Sequence, residues 1–181
     1  MASPDMKPVP ESRPTTPKLR RRMACWLYEG VLLFGVVFVA GFLFSVVTQT
    51  RHGLQHRPEQ QGFIFLVLGL YFSWFWRHGQ TLAMRTWHIR IQGPDGLPPT
   101  LGRALLRYLL GWIWFLPPLA ARAVFALPLA QTLVLVLGWI AIWAILSRFH
   151  PQGQFWHDAW AGTALVTASP LPEQRPAKGK K

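Results

Sequence analysis

A run of 40 residues, 108–147, contains a single charged side chain, that of Arg122. One straight helix of this length would measure about 60 Å, roughly twice the hydrocarbon thickness of a bilayer. The run must therefore fold back on itself. Because proline interrupts a helix, Pro117, Pro118 and Pro128 predict that the chain reverses in this part of the run.

Four membrane segments are predicted from the apolar runs. Leu27–Val47 has 21 residues and one charge, enough for a helix of about 31 Å, whereas Gly62–Trp76 is short, at 15 residues. The long run supplies the other two, 108–121, which is short or re-entrant, and 127–147. A short interfacial helix, Leu101–Tyr108, is expected in the preceding loop. The predicted fold class is an all-α membrane protein with about four transmembrane helices.

The distribution of positive charge predicts the orientation of these segments. With four segments, 16 of the 19 Lys and Arg residues fall on the side that holds both termini and the middle loop. Basic loops stay in the cytoplasm, so both termini are expected there. We divide the chain into a disordered basic tail at 1–22, a transmembrane domain at 23–168 and a second basic tail at 169–181. Topology and attraction to anionic lipid headgroups explain the net charge of +12 without a nucleic-acid partner.

Neither enzyme chemistry nor a cofactor is expected. Cys25 is the single cysteine, so an intrachain disulfide and a cysteine-based zinc site are excluded. The histidines match no metal-ligand spacing, and the sequence contains no nucleophile–base pair and no phosphate-binding loop. Most of the ten tryptophans flank the apolar runs, as expected of residues that anchor a protein at the membrane interface.

Three blocks of residues resemble the RDD family of small bacterial membrane proteins. The first is Arg22 with an acid seven residues later, Glu29, where the family has Asp. The third is similar to the family's His-Asp-x-x-Ala-Gly-Thr and begins at His157-Asp158. The second lies in the middle loop and ends in an Ala-x-x-Arg step. Its residues are Gly79, Gln80, Thr81, Leu82, Arg85, Ile89, Arg90, Ile91, Asp95, Gly96, Ala104 and Arg107.

The resemblance covers roughly residues 20–167 and implies a multi-pass protein of the bacterial inner membrane. Arg22, Glu29, His157 and Asp158 form the family-like polar cluster, and Gly79, Gln80, Thr81, Arg85 and Arg107 form the loop motif. The departures are Glu29 itself and Ala83-Met84, which stand where the family has Gly-Lys. The family implies little about chemistry, because its members share no firmly established activity.

Two interpretations of the acidic residues remain open. Arg22 and Glu29 share one helix face but are too far apart to pair. Glu29 either pairs with an arginine of another segment (Arg85, Arg107 or Arg148) or serves as a titratable group on an ion or proton path. His157-Asp158 either anchors the carboxyl-terminal segment to an arginine or forms a proton relay or cation site.

These alternatives correspond to two functions. The first is transport of ions or small solutes, for which a four-segment chain would need to form a homo-oligomer to enclose a path. The second is a membrane module without transport, such as an assembly factor or an anchor with a basic cytoplasmic face. A transporter requires Glu29 to face a cavity, whereas a module would bury it against an arginine.

Overall fold

The computed structural model describes residues 15–49 and 57–168, which form a predominantly helical structure. The helices and strands are α1 (Leu19–Val47), α2 (Arg57–Arg77), α3 (Leu82–Thr86), β1 (Ile89–Gln92), α4 (Leu101–Gly111), α5 (Leu116–Phe125), α6 (Leu129–Leu146), α7 (Trp156–Trp160) and β2 (Ala164–Thr167). Two 3₁₀ turns, Trp112–Trp114 and Ser147–Phe149, extend α4 and α6.

Two of the described helices, α1 and α6, are long and apolar enough to cross a membrane. The bent pair formed by α4, with its 3₁₀ turn, and α5 could count as a third span. Both single helices expose large apolar side chains, including Phe34 at 74% and Leu137 at 65%. Exposed apolar surface on this scale is unfavourable in water, so these helices indicate a membrane protein.

Helix α2 contains the second apolar run and is longer than that run predicts. It has 21 residues, because the polar stretch from Arg57 to Gln61 also winds into helix. The residues of α2 are on average less hydrophobic than those of α1 or α6. It packs against both α1 and α4, and Tyr108 of α4 donates a hydrogen bond to the carbonyl oxygen of Phe65 at 2.7 Å. Gly69 leaves the space that the Tyr108 ring occupies.

The long apolar run reverses within the part of the chain that the prolines predict. Pro117 and Pro118 lie in the first turn of α5, where a helix needs no backbone N–H donors. The segment predicted at 108–121, short or re-entrant, corresponds to the longer bent pair of α4, with its 3₁₀ turn, and α5, which meet at an angle of 44°. The chain turns back at Ala126–Pro128, where Ala126 adopts a left-handed conformation with φ of 49°.

The interfacial helix was expected to end at Tyr108, but α4 continues to Gly111 and forms the first half of the bent pair.

A small β-sheet departs from the predicted all-α fold. Strands β1 and β2 form an antiparallel ladder in which Ile89 pairs with Thr167 and Ile91 with Leu165. Ile89, Ile91 and Leu165 are buried, so burial of alternate apolar side chains stabilises this short sheet.

The amino-terminal tail is shorter than predicted. Helix α1 begins at Leu19, and the backbone oxygen of Thr15 accepts a hydrogen bond from the Thr167 amide at 2.9 Å. The prediction of disorder up to residue 22 is therefore wrong for residues 15–22. Residues 1–14 and the predicted second tail, 169–181, lie outside the described residues.

Candidate functional site

A small structure at one end of the helices brings the three sequence blocks together. It consists of α3, β1, α7 and β2, and we call it the cap. Helix α1 packs against α3 and helix α4 packs against α7, and α2 leads into the cap through the turn at His78–Gly79. Arg21 ties α1 to the cap by donating from Nε to the carbonyl oxygen of Trp87 at 2.6 Å and from Nη2 to that of His88 at 3.0 Å.

Asp158 lies at the centre of the cap and is fully buried. Its Oδ1 accepts hydrogen bonds from Arg107 Nε at 2.8 Å and from His157 Nε2 at 2.9 Å. The guanidinium of Arg107 also lies over the Trp76 ring, 4.1 Å from its centroid, an arrangement that favours a cation. The structure thus contains the predicted contact between Asp158 and an arginine, and Arg107 is that arginine.

His157 lies between Trp114 and Asp158. Its Nδ1 lies 3.0 Å from Trp114 Nε1, which is only a donor, so Nδ1 accepts. On the other side of the ring, Nε2 lies 2.9 Å from Asp158 Oδ1. These two contacts fix the orientation of the imidazole ring.

The surroundings of Asp158 favour its ionised form. Burial alone raises the pKa of a carboxyl group, but the charge of Arg107 and the contact with His157 outweigh it. The pKa of Asp158 is consequently well below its ordinary value.

The backbone of Asp158 is held as well. Its carbonyl oxygen accepts from the amide of Thr163 at 2.9 Å and from the Thr163 hydroxyl at 3.0 Å. These hydrogen bonds link α7 to the turn before β2.

Glu29 is buried in α1, and its partners are hydroxyl groups. Tyr71 donates to Oε1 at 2.9 Å, and Thr81 donates to Oε2. Thr81 also caps α3 by accepting from the Met84 amide at 3.2 Å. Within the described residues Glu29 forms no salt bridge, so the predicted contact with an arginine is wrong. Arg107, one of the predicted partners, pairs with Asp158 instead.

The remaining residues of the loop motif shape the chain between α2 and β1. Gly79 has a φ of 84°, which a residue without a side chain adopts at little cost, and its oxygen accepts from the Ile91 amide at 2.8 Å. The Gln80 amide donates to the carbonyl oxygen of Ile89 at 2.8 Å. Arg85 is exposed on α3 and lies outside the polar cluster.

Arg22 is 5% exposed, and its guanidinium carbon lies 4.2 Å from the centroid of the Phe155 ring. Its Nε and Nη1 atoms have no hydrogen-bond partner. Arg22 and Glu29 both lie on the buried face of α1, as their spacing predicts. The structure thus gathers Arg22, His157 and Asp158 at the cap, with Glu29 two turns further along α1.

A cavity of about 960 Å³ lies between α1 and the helices α2, α4 and α5. Arg22, Glu29, Arg107 and His157 contribute its charged and titratable side chains, and most of the remaining lining is apolar. Along α1 the lining extends to Val37, which is about 22 Å from Arg22 at 1.5 Å per residue. No group of three metal-ligating side chains occurs among residues 15–49 and 57–168.

Sequence reasoning missed two residues of this site, Tyr71 and Trp114. Each lies within an apolar run, and each carries one polar atom that needs a partner when it is buried. The available signal was a hydroxyl or an indole N–H inside an otherwise apolar segment. That signal does not identify the partner, because Tyr71 and Glu29 are 42 residues apart in the sequence.

A family model matches the chain, whereas no curated protein and no solved structure does. The model of the RDD family matches residues 16–162, which include α1, the whole helical part and the cap as far as Gly162. This match covers most of the 181 residues, and the chain therefore belongs to the RDD family.

Proposed function

We propose that the protein is a multi-pass protein of the bacterial inner membrane that transports an ion or a small solute through the cavity beside α1. The observation that carries this proposal is the environment of Glu29. This acid lines the cavity and accepts from two neutral hydroxyl donors, and it forms no salt bridge with any residue that the structure describes. An acid in this position can exchange one cationic or protonated partner for another.

The proposed topology has four membrane segments, namely α1, α2, the bent α4–α5 pair and α6. The cap supports an even number, because the start of α1, the loop after α2 and the segment after α6 contact one another and must lie on one side. The excess of positive charge assigns that side to the cytoplasm. Reporter domains fused at Glu59 and at Glu173 should therefore report opposite sides of the membrane, and the same side for both would contradict the proposal.

Transport can be tested with the full chain in liposomes that carry a gradient of Na⁺, K⁺ or H⁺ or an isotope-labelled solute. The critical variant is Glu29→Gln, which keeps the size and can still accept hydrogen bonds but cannot carry a charge. We expect it to fold and to abolish flux. Glu59→Gln, at the opposite end of α2 from the cap, is the matched control and should keep normal flux.

The alternative is a membrane module without transport. The Asp158–Arg107–His157 contacts favour it, because they join α4 to α7 by polar contacts within the protein that need no solute. Its partners would be anionic lipid headgroups on the basic face or further copies of the chain. In that case Glu29→Gln would leave binding to those lipids or copies unchanged, and liposomes that contain the wild-type protein would show no flux. Neither function requires enzyme activity, and we propose none.

A further inference from the structure

Arg22 is a buried cation whose hydrogen-bonding capacity is unused. Only 5% of its surface is exposed, and it lines the cavity. Its Nε and Nη1 atoms are both without hydrogen-bond partners. A guanidinium carries five N–H donors, and leaving them unsatisfied away from water is costly. The contact with the Phe155 ring offsets a part of this cost but supplies no acceptor.

The two guanidinium groups at the cap end of the cavity differ in their partners. Arg107 contacts Asp158 Oδ1 through Nε, whereas within the described residues Arg22 forms no salt bridge. Asp158 Oδ1 lies within 2.9 Å of both Arg107 and His157, and Oδ2 has no hydrogen-bond partner. Arg22 is therefore the cation at this end of the cavity that lacks a direct contact with an anionic group.

Glu29 places a carboxyl group two turns further along the same helix. When it is ionised, its oxygens offer about four acceptor positions, of which the hydroxyls of Tyr71 and Thr81 fill two. The remaining positions can accept from a cationic group, because within the described residues Glu29 forms no salt bridge. Between Arg22 and Glu29 the cavity wall is apolar and includes Cys25 and Trp26.

We propose that this cavity binds a small zwitterionic solute, whose anionic group contacts Arg22 and whose cationic group contacts Glu29. The proposal deepens and rests on the proposed transport function, since it names the class of solute. Such a ligand supplies the missing acceptor to one buried charge and the missing cation to the other. A simple anion or a simple cation would leave one of the two uncompensated.

The spacing sets the length of the ligand. Seven residues of helix rise about 10 Å along the axis, and a hydrogen bond at each end takes up about 3 Å. The charged groups of the ligand would therefore be about 4 Å apart, which a chain of about four carbon atoms spans. The apolar wall between the two charges suits methylene groups better than further polar atoms.

The test uses ω-amino carboxylates with four, six and eight carbon atoms as probes, and calorimetry on the full chain in lipid nanodiscs as the measurement. Hexanoate and hexylammonium, which each carry one of the two charges, are the matched controls. We expect the four-carbon zwitterion to bind more tightly than the longer ones and at least about tenfold more tightly than either single-charge probe. Equal binding of hexanoate or hexylammonium, or no binding of any zwitterion, would overturn the proposal.

Two variants assign the contacts. Arg22→Gln should reduce zwitterion affinity to that of hexylammonium, and Glu29→Gln should reduce it to that of hexanoate. Arg77→Gln, on the exposed end of α2, should leave affinity unchanged. If Arg22→Gln does not fold, Arg22→Lys preserves the charge and should keep the preference for the zwitterion. A uniform loss of affinity for all probes in both variants would indicate a structural role and would contradict the proposal.

The binding result and the transport result are independent. Zwitterion binding without flux would support this site and refute transport. Flux of a metal cation or of protons without zwitterion binding would preserve the proposed function and refute this choice of solute.

Discussion

Replacing Asp158 should destabilise the protein strongly, because this residue is the carboxylate that Arg107 contacts inside the cap. Asp158 is fully buried, and Arg107 is 6% exposed. Removing one partner of a buried ion pair typically costs about 3–5 kcal/mol. Asp158→Asn retains an oxygen that can accept from Arg107 and should lie near 3 kcal/mol, about a 100-fold change in the unfolding equilibrium. Asp158→Ala removes that acceptor and should lie near 5 kcal/mol.

The assay is equilibrium unfolding of detergent-solubilised protein, followed by tryptophan fluorescence. The signal averages over all ten tryptophans, and Trp76 and Trp114 contact the network directly. Asp95→Asn is the matched control. Asp95 lies in an exposed turn and accepts a hydrogen bond from the Leu97 amide at 3.3 Å, which asparagine can also accept. This control should change the free energy of unfolding by less than about 0.5 kcal/mol.

The effect of Asp158 also has a defined pH dependence. Because the pKa of Asp158 is lowered in the folded protein, its contribution to stability is fully present above the ordinary aspartate pKa of about 4. That contribution is lost as the pH falls from there towards the lowered folded-state pKa. The difference in stability between the wild type and Asp158→Asn should therefore be constant near neutral pH and should shrink below about pH 4.

Two results would refute this reasoning. One is a loss of stability in Asp158→Asn no larger than that of Asp95→Asn, which would mean that the buried pair with Arg107 contributes nothing. The other is a difference between wild type and variant that grows as the pH falls, since a carboxyl group with a lowered pKa cannot produce that sign.

Three further predictions concern neighbouring features. Thr81→Val removes both the donor to Glu29 and the cap of α3, so it should lower the free energy of unfolding by about 1–3 kcal/mol in the same assay, whereas Thr81→Ser should lower it far less. Trp114→Phe removes the donor to His157 Nδ1 and leaves a buried acceptor without its partner, so it should lower the free energy of unfolding by about 1–3 kcal/mol in the same assay. A cysteine at Arg122 should react with an impermeant thiol reagent added outside the cell, and complete protection would place the α5–α6 turn elsewhere.

Much of the helical structure could be predicted from the sequence because membrane thickness sets the length of an apolar run. The same argument required the 108–147 stretch to reverse. The position of the bend could not be predicted from proline alone, since Pro117 and Pro118 can either end a helix or begin one. The choice depends on the packing of the preceding turn, where Trp139 donates to the carbonyl oxygen of Ile113 at 2.8 Å.

Of the polar contacts in the site, the sequence could predict the ion pair of Asp158 but not the hydroxyl contacts of Glu29. Asp158 had several arginines available on its own side, so a contact with one of them could be expected from the cost of burying a lone carboxylate. The partners of Glu29 could not be expected on that basis, because hydroxyl groups carry no charge and Tyr71 lies within an apolar run. Strands β1 and β2 were missed because four residues give too short an alternation to distinguish from a loop.

The pairing of β1 with β2 has a consequence for biosynthesis. Arg107 leaves the ribosome well before Asp158, which belongs to the last block of the cap. Until that block has been made, Arg107 lacks the carboxylate that it contacts in the finished protein, and a guanidinium without that partner is costly to bury. Strand β2 follows Asp158, so the cap is completed only after α1, α2, α4, α5 and α6 have been made. A chain that ends before α7 would therefore differ from the mature protein in having Arg107 unpaired.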